Sequence, residues 1–185
     1  MKTINISSLA RAVAFAVATM AIAAGAQAAG DKTAYDSAKA SAKTTYESAS
    51  KACDAMSGNA KDVCVLEAKA ARVKTEEEAE ATYKNTPKAR EHATHEIAEA
   101  NYKVAKERCD DKTGNDKDVC VKEAKAAMTK AQADAKASYK ATDAKMDAAK
   151  DKREADYKVA AEKCDAMAGD AKSACVAQAK AKYKM

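Results

Sequence analysis

The sequence has few of the residues that build a large hydrophobic core. Its 185 residues include no tryptophan and one phenylalanine, and aromatic residues make up 4% of the chain. Beyond residue 28 the large aliphatic residues are Leu66, Ile97 and eight valines, so much of the 47% hydrophobic content is alanine. Such a chain cannot rely on the burial of large side chains alone. We expect helix propensity and covalent cross-links to hold the fold together.

Residues that interrupt helices are also scarce. The chain contains one proline and five glycines. Between them run long stretches of alanine, lysine, glutamate and glutamine, which have the highest helix propensities. Acids that lie four residues before a base, such as Glu80 before Lys84, are typical of a solvated helical surface. The sequence therefore predicts an all-α fold.

Neither sign of charge dominates the chain. It carries 33 basic and 28 acidic residues, a net charge of +5, which falls to +3 without Lys2 and Arg11. A protein that binds nucleic acid usually has a one-sided basic surface. We therefore expect no nucleic-acid partner.

Residues 1–28 have the three parts of a secretory signal peptide. Lys2 and Arg11 precede an apolar run over 12–24, and an Ala-Gln-Ala tripeptide ends at Ala28. The apolar run of 13 residues is too short to cross about 30 Å of hydrocarbon as a helix. We expect general export, cleavage near Ala28, a periplasmic location in a bacterium and no transmembrane segment after cleavage.

Three segments of the chain repeat the pattern Y-x6-C-D-x3-G-x5-C-V-x2-A-K-A. They begin at Tyr46, Tyr102 and Tyr157, and they contain all the cysteines. A period of 55 to 56 residues predicts an array of similar supersecondary units. We expect three tandem helical hairpins, elongated or loosely bundled, with about six helices. Their expected extents are 29–86, 87–142 and, for the shorter third hairpin, 143–185.

Glycine marks the expected turn within each hairpin. Gly58, Gly114 and Gly169 are placed where a first helix should end, because glycine accepts the left-handed conformation at a helix C-terminus. The residue after each glycine is a good N-cap for the second helix. These predicted N-caps are Asn59, Asn115 and Asp170.

Threonine marks the expected boundaries between hairpins. Thr86 before Pro87 predicts an N-cap followed by proline at the first helical position. Thr142 before Asp143 occupies the same place one repeat later, which predicts a second boundary there. The expected helices therefore cover about 31–57, 60–85, 87–113, 116–141, 143–168 and 171–185.

The two cysteines of each unit lie 11 positions apart with the glycine between them. Along an unbroken helix they would be about 16 Å apart, whereas a disulfide requires Cα atoms closer than about 7 Å. A turn at the glycine brings them together. The spacing predicts three disulfides, namely Cys53–Cys64, Cys109–Cys120 and Cys164–Cys175. The alternatives are zinc binding, for which each pair offers two of four ligands, and a redox-active thiol pair, which usually has closer spacing.

The two histidines form a candidate metal site. His92 and His95 lie four residues before Glu96 and Glu99, so one helical face offers imidazole and carboxylate ligands. Such a set can hold a divalent metal with modest affinity. The alternative is two packed or solvated histidines, because the motif occurs in one unit of three.

No set of residues in the sequence points to catalysis. The chain has no glycine-rich phosphate loop and no serine in a nucleophile-elbow motif, and both histidines belong to one short segment. We expect a non-enzymatic protein that needs no cofactor.

The strings VLEAKAA, VKEAKAA and VAQAKAK, which begin at Val65, Val121 and Val176, resemble the Ala/Lys/Glu-rich helical stalk of TolA, an envelope protein that links the inner and outer membranes. The cysteine repeat resembles small exported proteins labelled cell envelope biogenesis protein TolA-like, over nearly all of the chain after residue 28. The resemblance implies a structural or interaction role in envelope maintenance or stress, with an envelope protein as partner. The alternative function is weak divalent-metal binding through His92 and His95.

Overall fold

The computed structural model describes residues 30–185, and the predicted signal peptide over residues 1–28 lies outside this range. The described chain is helical and contains no strand, so the predicted all-α fold class is confirmed, with five α-helices in place of about six. Short 3-10 turns at Cys53–Ala55 and Cys109–Asp111 extend the first and third helices. The helices are α1 (Lys32–Ala52), α2 (Gly58–Lys84), α3 (Pro87–Arg108), α4 (Gly114–Cys164) and α5 (Gly169–Tyr183).

The turn of each disulfide hairpin uses a glycine with left-handed backbone angles. The φ angles of Gly58, Gly114 and Gly169 are 58°, 55° and 58°. The helix begins at the glycine itself, after an extended residue whose side chain does not cap it. Because the chain has already reversed direction at the glycine, the next residue is inside the helix. Asn59, Asn115 and Asp170 therefore lie in the first helical turn and not at the N-cap, which corrects the predicted role.

The boundary between α2 and α3 is the one predicted from sequence. Asn85 takes left-handed angles, with φ 46°, and its N–H donates to the Ala81 carbonyl at 2.9 Å. The Thr86 hydroxyl accepts the Ala89 N–H at 3.1 Å. Pro87 follows at the first helical position, where it has no N–H that needs a partner. These features end one helix and start the next.

The helix break predicted at Thr142 and Asp143 is wrong, because α4 continues for 51 residues. At 1.5 Å per residue this helix is about 77 Å long. The two junctions read Y-K-N-T-P and Y-K-A-T-D, so Ala141 and Asp143 replace Asn85 and Pro87. Alanine disfavours the left-handed conformation, and aspartate keeps the N–H that proline lacks. Threonine alone does not end a helix.

Helices pack against their neighbours in chain order. α1 packs on α2, α2 on α3, α3 on α4, and α5 on α4. The core between them is made of small residues, so the helices can approach closely. Its buried members are Ala42, Cys53, Ala68, Ala70, Ala81, Ala93, Ala98, Val104, Cys109, Cys164 and Ala179. Seven of these eleven residues are alanine, whereas other alanines, such as Ala144 and Ala148, are exposed.

The middle of α4 is a bare helix. Every residue from Asp143 to Arg153 is exposed. Before this segment, Ser138 and Thr142 still line a groove with Pro87 of α3. After it, Cys164 is bonded to Cys175 of α5. Among residues 30–185, no helix is long and apolar enough to cross a membrane.

Candidate functional site

The disulfides join the pairs predicted from the turn geometry. Cys53–Cys64, Cys109–Cys120 and Cys164–Cys175 are bonded, each with a Cα–Cα distance of 5.7 Å. The described residues contain no free cysteine. The first cysteine of each pair is fully buried or nearly so. The second cysteine of each pair is partly exposed, so an external thiol could reach only that sulfur of each disulfide.

An ion pair crosses each of the three turns. The Nζ–Oδ1 distance is 3.0 Å in Lys61–Asp54, in Lys117–Asp110 and in Lys172–Asp165. The aspartate directly follows the first cysteine of its unit, and the lysine lies three residues before the second. This pairing is absent from the predictions made from sequence, although both residues occupy fixed places in the repeat. Each turn therefore combines a glycine, a disulfide and an ion pair.

The first two hairpins are joined to each other near their turns. The Asn59 amide donates to Oδ1 of Asp111 at 2.6 Å. The Arg108 guanidinium donates to the Glu67 carboxylate, and the two also form an ion pair. These contacts connect α2 of the first unit to α3 and the turn of the second. The two disulfide turns thus lie side by side at one end of the helices.

Further along the α2–α3 interface lies a group of acidic residues beside His92. Glu77 is 21% exposed, and its Oε2 lies 4.0 Å from Nε2 of His92. Burial raises the pKa of Glu77, and the neighbouring His92 opposes that shift in part. The Lys84 ammonium, 2.6 Å from Glu80, donates a hydrogen bond that lowers the pKa of Glu80.

The structure brings together three of the four predicted metal ligands. One ligand atom each from His95, Glu96 and Glu99 lies within 4.8 Å of the other two. His92 lies beside Glu77 instead. The Lys103 ammonium, 3.0 Å from Glu99, lowers the pKa of that carboxylate and competes with a cation for it. This triplet lies on the surface of α3, where His95 is exposed and the two glutamates are partly exposed.

Two open grooves lie beside helix ends. One runs between the start of α3 and the middle of α4, where Arg90 and Tyr139 are among its lining residues. The other lies between α1 and α2, where the rings of Tyr35 and Tyr83 stack with centroids 5.0 Å apart. Most other lining residues are alanine, threonine and single charged side chains. These linings are typical of helix packing.

The fold and its turns define a disulfide-stapled helical repeat protein. No known protein family, curated protein or solved structure matches the chain. The resemblance to TolA-like proteins therefore stays a prediction.

Proposed function

We propose that the protein is a non-enzymatic structural or interaction protein of the bacterial periplasm, with a role in envelope maintenance or stress. The observation that supports this proposal most strongly is α4. The first half of α4 packs on α3, which in turn packs on α2, and its second half packs on α5. Between the two halves lie 11 exposed residues, 143–153. A continuous helix fixes this separation, which is about 16 Å for the bare segment.

A spacer of this kind needs a surface that stays in water. The bare segment reads D-A-K-M-D-A-A-K-D-K-R, with both signs of charge interspersed. Lys150 pairs with Glu154 at 3.6 Å, one turn further along the helix. Such a helix can expose two folded ends to different partners at a set distance.

The cysteines support an extracytoplasmic location. Disulfides persist in oxidising compartments and are rare in the cytosol of ordinary cells. All six cysteines of this chain are paired. The tripartite N-terminal segment supports export to the same compartment.

The length of the bare segment provides a test of the spacer role. Deletion of residues 145–151 removes about two helical turns and shortens α4 by about 10 Å, with the helix phase nearly kept. We expect the deletion to remove function in an envelope-integrity assay such as detergent sensitivity. A matched control replaces the same seven residues by an Ala/Lys/Glu helix of equal length and should keep function. Equal activity of the shortened protein would contradict a spacer role.

Partners can be captured in living cells. A photo-crosslinking amino acid at Lys145 or Lys152 should give discrete adducts with envelope proteins, because both positions are exposed on the bare segment. The same group at exposed Lys51 of α1 is the control for general proximity. Identical, diffuse adducts from all three positions would argue against a specific envelope partner of α4.

The second candidate function is weak divalent-metal binding at His95, Glu96 and Glu99. It is favoured by the closeness of these three ligand groups on one helical surface. The test is titration with Zn²⁺ by calorimetry at neutral pH. Binding that is lost in His95→Ala and kept in His92→Ala would support this site. Binding that both substitutions leave unchanged would exclude it.

A further inference from the structure

The first and second units form an interface that the second and third units lack. In the groove between α2 and α3, α2 contributes Leu66, Lys69, Ala70 and Val73. The repeat places the equivalent residues of α4 56 positions later. They are Lys122, Lys125, Ala126 and Thr129, and all four are exposed. This part of α4 therefore has the position of a packed face. Lys125 reaches the Tyr102 ring of α3, 5.3 Å from its centroid, and among the described residues no further helix covers the face.

The complementary face is also uncovered. On the α3 side, the groove contains Ala100, next to which Val104 is buried. Their equivalents 55 positions later are Ala155 and Val159 of α4. Val104 is 7% exposed, whereas Val159 is 57% exposed. The third unit thus keeps an apolar residue that the second unit buries.

Both uncovered faces belong to the same straight helix. If a turn formed at Ala141–Asp143, as one does at Asn85–Pro87, the two faces would meet within one chain. Without that turn they point to the same side of α4 at different heights, joined by Ala144 and Ala148 at helical spacing. A single copy in this conformation cannot bring them into contact.

We propose that α4 pairs antiparallel with α4 of a second copy of the chain. In this dimer the face that contains Lys122 and Ala126 in one copy packs against the face that contains Ala155 and Val159 in the other. The two-fold axis passes near Asp143. This is the relationship of a domain-swapped dimer, in which an element packs on the partner because its hinge is extended. The interface repeats, between copies, the packing that α2 and α3 show within one copy.

Charges on the two faces fit this register. The pair that joins the first two units is Glu67 with Arg108. The equivalent residues are Glu123 and Lys163, which keep opposite charges. A two-fold axis near Asp143 places Glu123 of one copy opposite Lys163 of the other, and symmetry makes this contact twice. Lys122, which replaces Leu66, is a change that weakens the face.

The charge pair provides the first test. The full-length gene product, expressed in a Gram-negative host with its disulfides oxidised, should sediment at twice the mass of one chain at micromolar concentration. Lys163→Glu should weaken dimerisation at least about tenfold, because it places like charges together at two symmetric contacts. Lys163→Glu combined with Glu123→Lys should restore the dimer. Lys51→Glu, an exposed reversal on α1, is the control.

The hinge provides the second test. Ala141→Asn with Asp143→Pro gives the second junction the residues of the first. This variant should fold its third unit back onto its second and become a monomer of unchanged helical content, as measured by sedimentation and circular dichroism. A monomeric unaltered chain throughout the micromolar range would overturn the proposal. So would a dimer that resists both the hinge change and Lys163→Glu.

Discussion

The carboxylate of Asp54 lies 3.0 Å from the ammonium of Lys61, across the turn that the Cys53–Cys64 disulfide closes. The other two turns contain the same pair at the same distance. Each copy of the sequence repeat therefore forms the same disulfide and the same ion pair. The interactions at each turn differ greatly in the stability that we expect from them.

The ion pair should contribute little to stability. Lys61 and Asp54 are 41% and 68% exposed, and exposed pairs typically contribute less than about 1 kcal/mol. We expect Lys61→Ala to lower the free energy of unfolding by no more than that, and by less in high salt. Urea denaturation at two salt concentrations measures both effects. A loss of several kcal/mol would mean that the pair organises the turn.

The third disulfide should control a local unit of stability. A bridge that closes a loop of about this length contributes roughly 3 kcal/mol, and an isolated helix as short as the 15-residue α5 is marginal in water. Replacing Cys164 and Cys175 by serine should therefore remove amide protection from α5 and the end of α4, with α1 to α3 unchanged.

Removal of the first disulfide is the matched comparison. Cys53→Ser with Cys64→Ser should loosen α3 as well as α1 and α2, because Arg108 is tied to Glu67 across the hairpins. Hydrogen exchange followed by mass spectrometry resolves the two patterns. A uniform loss of protection in both double variants would contradict the local units.

The turn glycine should be needed for its backbone angles alone. Gly58 has φ 58°, and a Cβ added there would have no heavy atom within 4 Å. An alanine would therefore meet no clash, but it would cost about 1–2 kcal/mol in the left-handed region. We expect Gly58→Ala to show that loss in thermal unfolding and Gly58→Asn to show less of it, since asparagine tolerates this conformation. Equal stability of Gly58→Ala would indicate that the turn can rearrange.

Glu77 should make stability depend on pH. Burial raises its pKa above its ordinary value of 4.5, so the folded chain binds the proton more tightly than the unfolded chain. Its contribution is therefore most favourable below the unfolded pKa and is lost as pH rises through the folded pKa. Its neighbours are Glu76 and Glu80 on α2, with His92 and Glu96 on α3.

Glu77→Gln removes the charge that burial disfavours. We expect this variant to be more stable than the unaltered chain at pH 7, with a difference that shrinks as pH falls through the raised pKa of Glu77 towards 4.5. Glu78→Gln, on the same helix but 59% exposed at the side chain, is the control and should change stability less. A loss of stability in Glu77→Gln at pH 7 would show that the contact with His92 outweighs burial.

The features that follow from sequence are those set by local spacing. The disulfide pairs depend on a separation of 11 positions and one intervening glycine, and the α2–α3 turn depends on the order Asn-Thr-Pro. Both signals act over a few residues. They can therefore be recognised in the sequence without knowledge of how the helices pack.

The features that could not be predicted from sequence are of two kinds. In one, a residue fits two structural roles, and in the other, a contact joins residues far apart in the chain. Thr142 matches a predicted N-cap position but also fits a helix interior. Because alanine and aspartate replace the asparagine and proline of the first junction, the helix continues through it. The Arg108–Glu67 contact joins residues 41 positions apart, so it depends on the register of α2 against α3. Among the metal candidates, spacing alone could not show that His92 lies beside Glu77 on another helix.

The continuity of α4 through Thr142 is the claim on which both proposals depend, and a distance measurement tests it. Spin labels introduced as noncanonical amino acids at Lys130 and Lys152, both exposed, leave the six cysteines paired. Labelled protein diluted into unlabelled protein reports the distance within one chain. A continuous helix predicts about 33 Å between the labelled backbone positions. A distance near 10 Å, the usual separation of two packed helices, would show a folded-back junction and contradict the account.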